Sequence, residues 1–99
     1  MGQHTLRITT QQVDHTIHIT LEGRVAGPWA AELGRAWADL APSVRNNKLT
    51  IDLRNTTFAD MRGLEVLRTI YATTQAHLIA NTPWTEHLAQ EITRTPTSA

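Results

Sequence analysis

The side chains of this 99-residue chain with chemical reach are five histidines, the aspartates Asp52 and Asp60, and the hydroxyls of Thr56 and Thr57. His15 and His18 are three apart in an alternating stretch, so on a strand they face opposite sides. His4 and His18 make cross-strand neighbours at best, with no third ligand at suitable spacing, and His77 and His87 fall in different elements. No metal site is expected. The chain has no cysteine, which removes thiolate chemistry and disulfides. It lacks a nucleophile elbow, a P-loop and a G-x-G-x-x-G run, so neither an enzyme nor a cofactor is expected. Asp60 is explained as a helix cap, and Asp52 as a strand residue whose hydrogen bonds hold the next loop. Asn and Thr bonding their own backbone account for Asn55, Thr56 and Thr57 as turn residues. What remains is recognition: an exposed helix N-terminus beside Arg62, suited to a partner or an anion.

The element that places these groups is the stretch LTIDLRNTTFADMRGLEVL, residues 49–67. Leu49, Ile51 and Leu53 alternate with Thr50, Asp52 and Arg54, which makes a strand with one apolar face. Arg54-Asn55-Thr56-Thr57 reads as a polar bend, after which Phe58 is expected to return to the core. Asp60 stands at an N-cap position, able to accept the amide hydrogens of Arg62 and Gly63. Leu64, Leu67, Ile70 and Tyr71 continue at helical spacing. A strand therefore feeds a helix through a tight turn that presents the helix start to solvent.

Asp52-Leu53, Thr57-Phe58-Ala59-Asp60 and Gly63-Leu64 resemble the strand-turn-helix of STAS domains, the anti-sigma-factor antagonists, whose pattern there is like D-L-S-x-V-x-F-I-D-S-S-G-L. Leu21-Glu22-Gly23-Arg24-Val25 is a weaker match to the L-x-G-x-hydrophobic stretch before the first helix of that family, and the Gly-Pro-Trp that follows looks like a subset without the phosphosite. The resemblance covers roughly residues 14–92. It implies a regulatory module that docks an anti-sigma or kinase-type protein at this end of the sheet. The family serine that receives phosphate corresponds to Arg62, preceded by Met61, so no phosphoacceptor is expected here. The partner-facing residues implied are Gly27, Asn55, Thr56, Asp60, Met61, Arg62 and Gly63. Many STAS domains continue into a further strand and helix, before which this chain is expected to stop.

Elsewhere the pattern is regular. Residues 4–10 alternate as a half-buried strand, Gln11 to Asp14 read as a polar break, and Ile17, Ile19 and Leu21 alternate with Thr16, His18 and Thr20. The link lacks Asn-Gly or Asp-Gly, which predicts a hairpin turn longer than two residues. Pro28 suits the first turn of a helix in which Trp29, Leu33, Ala36, Trp37 and Leu40 share an apolar stripe, stopped by Ala41-Pro42-Ser43. A short strand at His77–Ala80 and a helix begun by Thr82 and Pro83 follow, with Trp84, Leu88 and Ile92 on its apolar face and a polar tail over 93–99. The order is β-β-α-β-α-β-α, an α/β STAS-like domain with a mixed four-stranded sheet and helices mainly on one face.

Ninety-nine residues make one domain, here 1–99 with its core at about 4–92. A chain of this size buries about 65% of its unfolded surface, enough for a core without staples. Nine basic residues balance nine acidic ones with no basic stripe, which argues against nucleic acid. No secretory h-region, spanning segment or myristoylation pattern is present, and a cytoplasmic protein is expected. Beside the interaction module stand two alternatives: a sensor binding a small ligand or nucleotide phosphate at Asp60–Gly63, and a homodimer seamed by Thr16, His18 and Thr20.

Overall fold

The computed structural model describes residues 6–44 and 47–94. The elements are β1 (Leu6–Val13), β2 (Thr16–Val25), α1 (Pro28–Val44), β3 (Lys48–Ala59), α2 (Met61–Thr74), β4 (His77–Ile79) and α3 (Pro83–Thr93). The order is the one the alternation of patterns predicts. The four strands form one mixed sheet in the order β1-β2-β3-β4, with β1 antiparallel to β2 and the other two pairs parallel. Ile17, Ile19, Leu21 and Val25 of β2 and Leu49, Ile51 and Leu53 of β3 form the buried face. Against it pack Leu33 and Val44 of α1, Leu67 and Ile70 of α2, and Leu88 and Ile92 of α3. Each such side chain contributes about 1.5–3 kcal/mol on burial, so this layer supplies most of the driving force. The opposite sheet face, with Thr16, His18 and Thr20, is covered by none of the described helices and stays partly exposed.

Several expectations are corrected. The polar break at Gln11–Val13 is strand, and the hairpin closes through the two residues Asp14 and His15 between Val13 and its partner Thr16. Asp14 takes φ 56°, the left-handed conformation that aspartate tolerates better than most residues. His15 therefore lies in the turn and not on a strand face. His4 and the residues beyond Arg94 lie outside the described residues.

Helix α1 continues through Pro42 to Val44. Proline there removes a single hydrogen bond near the end of the helix, a milder loss than in mid-helix. Its apolar stripe is also divided. Leu33 and Ala30 are buried, while Trp29, Ala36, Trp37 and Leu40 are half-buried.

Residues 54–57 are not a bend either, since β3 runs unbroken to Ala59. Its pairing with β2 slips twice: Thr20 pairs Asp52 but Glu22 pairs Asn55, and Gly23 pairs Thr56 but Arg24 pairs Phe58. Each slip places one extra residue on β3, a β-bulge. The first bulge turns Thr56 to the helix side, where it is buried. The second restores the original alternation, so Phe58 shares the uncovered face with Asp52 and is 39% exposed.

Candidate docking rim at the ends of the parallel strands

β2, β3 and β4 run parallel, so their C-terminal ends and the loops that follow gather at one edge of the molecule, where open α/β sheets place their sites. Asp60 ties two of those loops together. Its Oδ1 accepts the amide hydrogen of Gly63 at 2.8 Å, the N-cap bond of α2. Its Oδ2 accepts the amide hydrogen of Gly27, in the loop leading into α1, at 2.9 Å. The amide of Asp60 itself donates to the carbonyl of Val25 at 3.2 Å. The Gly27 amide first, and then that of Gly63, hold the Asp60 carboxyl below the usual carboxylate range. Gly27 has φ +56°, a conformation glycine adopts without strain.

Gly63 is buried for a steric reason. A Cβ there would run into the carbonyl oxygen of Val25 and stand 2.8 Å from a Val25 methyl. The first turn of α2 therefore lies directly on the end of β2, and only glycine permits the approach. Thr56 is likewise internal at 2% exposure, and its hydroxyl donates to the Leu21 carbonyl at 3.3 Å. These two implied partner residues build the rim without forming its surface. Gly27 and Asp60 are partly exposed, and Asn55, Met61 and Arg62 are exposed, Met61 at 65%.

Three further contacts lie at this edge, of which only the last, between residues two apart on one strand face, has a signal in local sequence spacing. The Trp84 indole donates to the Thr56 carbonyl at 2.9 Å, joining the start of α3 to the bulged part of β3. Trp84 is 37% exposed, whereas Leu88 and Ile92 at the same helical spacing are buried. The Arg24 guanidinium lies 4.4 Å from the centre of the Phe58 ring, a cation–π contact between cross-strand neighbours. Arg54 grips Asp52 with both arms, Nε at 3.0 Å and Nη2 at 2.8 Å, and adds its backbone amide at 3.0 Å. The side-chain hydrogen bonds of Arg54 hold the Asp52 carboxyl low.

Among the described residues no three His, Cys, Asp or Glu side chains gather in a metal-ligating group. None of the described helices is long and apolar enough to cross a membrane.

No protein-family model matches the sequence, and no curated protein matches it. The structure does match a solved one. A crystal structure of an anti-sigma factor antagonist from Mycobacterium paratuberculosis superposes with a TM-score of 0.75 over 87% of this chain and 76% of that chain, at 19% sequence identity. The chain has the STAS fold. Its mixed four-stranded sheet and its β-β-α-β-α-β-α order match that fold. Within the STAS fold, Met61 and Arg62 occupy the first turn of α2, directly after the capping Asp60.

Proposed function

We propose that this chain is a non-catalytic regulatory module that binds a protein partner, of anti-sigma or kinase type, through the edge formed by Gly27, Asn55, Asp60, Met61 and Arg62. The observation that carries the reading is the exposed pair Met61–Arg62 on an α2 start that is rigidly capped in a STAS fold. Methionine and arginine are both enriched in the centres of protein interfaces. Arginine cannot accept phosphate, so Arg62 supplies a permanent positive charge and the module has no phosphate switch at this position. The anion-sensor reading is weaker, because the Asp60 carboxylate already takes the Gly63 amide, a donor an incoming anion would need.

The test is co-purification from cells that express the natural partner, using wild-type protein, Arg62→Glu, and Lys48→Glu at the opposite end of β3 as a control. A prey retained by Lys48→Glu and lost with Arg62→Glu supports the reading. A prey bound equally by all three contradicts it.

A further inference from the structure

A second surface stands apart from the rim. Among the described residues strand β1 pairs with β2 alone, which leaves its outer edge unpaired over eight residues. It contains no proline, and its one charge is Arg7, whose guanidinium lies 3.9 Å from Glu22 on the neighbouring strand. Natural edges are usually blunted by charge, proline or a cover, because unpaired amides and carbonyls there accept another strand. Among the described residues this edge has no proline and no cover, and its single charge, Arg7, lies toward Glu22 of the neighbouring strand.

Beside the edge, on the helix side of the sheet, lies a groove of about 540 Å³. Leu6, Ile8 and Thr10 form its β1 wall, and Trp29, Ala36 and Leu40 the apolar part of its α1 wall. Leu6 is buried, but Ile8, Trp29 and Leu40 are only half-covered, so the apolar lining is incomplete. Glu32 and Asp39 complete the lining, with no cation among the lining residues. Glu32 is engaged by Arg35 on its own helix, and Asp39 has no such ion pair in the described structure.

We propose that this edge and groove receive an extended, basic segment of a partner protein, added to β1 as a fifth strand. Alternate side chains of an added strand point to one face. Its apolar side chains would cover Ile8, Trp29 and Leu40, and a lysine or arginine would reach Asp39. The same charge argues against a second copy of this chain as the occupant. Two β1 edges paired about a twofold axis would bring the two acidic α1 walls toward each other. The inference does not rest on docking at the rim and can fail or hold independently of it.

The test uses isotope-labelled protein and two short peptides: one with valines and a single lysine at the alternate positions that share one face and threonine between them, the other carrying glutamate for that lysine. The lysine peptide is expected to shift the amides of Leu6–Val13 and Trp29–Leu40 in a saturable manner and to slow hydrogen exchange along β1. Asp39→Arg, at an exposed helix position, is expected to weaken that binding roughly tenfold, the size of turning a surface attraction into a repulsion. Equal binding of the glutamate peptide overturns the proposal, as do shifts confined to other regions and no saturable shift with the lysine peptide. A concentration-dependent dimer that already protects the β1 amides overturns it in favour of self-pairing.

Discussion

Asp60 and Gly27 are 33 residues apart in the chain, and a 2.9 Å hydrogen bond from the Gly27 amide to the Asp60 carboxylate joins them. The same carboxylate caps α2 through Gly63. One side chain thus fixes the approach to α1 and the start of α2 relative to each other. The exposed Met61 and Arg62 are held on this frame.

Removing the carboxylate should loosen both loops. Asp60→Ala is expected to cost about 1–2 kcal/mol, the range for losing a helix N-cap. Asp60→Asn, which keeps one acceptor oxygen, should cost less. Urea unfolding of the three proteins at neutral pH measures both differences, and an Asp60→Ala midpoint equal to wild type would contradict the bridging role.

The carboxyls of Asp60 and Asp52 both titrate lower in the folded protein than their ordinary values. Their ionised forms therefore stabilise the fold at any pH above the unfolded value of about 3.9. That contribution declines as pH falls below the unfolded value and is gone once it has passed the lower folded values. Wild type should lose stability as pH falls from about 5 into the acid range, and Asp60→Asn should show a shallower fall. Urea midpoints taken across that interval are the check.

Two glycines make opposite predictions. Gly63→Ala drives a methyl into the Val25 backbone and should destabilise by about 3 kcal/mol or more, because a strand carbonyl cannot swing aside. Gly34, within α1, has open space around its Cα, and Gly34→Ala should stabilise by about 0.5–1 kcal/mol through helix propensity. Thermal unfolding of the pair should move the midpoint in opposite directions.

Trp84→Phe leaves the ring but removes the donor to the Thr56 carbonyl. A loss of about 1 kcal/mol is expected, the ordinary net worth of such a bond. Amide exchange should quicken over residues 55–58 while the Leu49–Leu53 segment stays protected.

Much of this architecture is legible in the sequence because it rests on local periodicity. The alternation of Leu49, Ile51 and Leu53, the cap at Asp60 and the Thr82-Pro83 helix start all appear where spacing places them. Thr82 is capped reciprocally by Thr85, which a search for an acidic residue at that position overlooks. Sequence reading fails where pairing with a distant strand decides the outcome. Two bulges imposed by β2 keep residues 54–57 in the strand, bury Thr56 and expose Phe58, although polar residues in a row suggest a bend. The hairpin turn is missed because Asp14 adopts a left-handed conformation without a following glycine. The Gly27–Asp60 and Trp84–Thr56 bonds join residues far apart in sequence, and no spacing rule reaches them.

The most direct measurement of docking at the rim is hydrogen–deuterium exchange on the module alone and with its captured partner. The account predicts that partner binding slows exchange over residues 26–30, 58–66 and 81–85, leaving the uncovered sheet face at Thr16–Thr20 unchanged. Slowed exchange at Thr16–Thr20, with no change at 58–66, would contradict it.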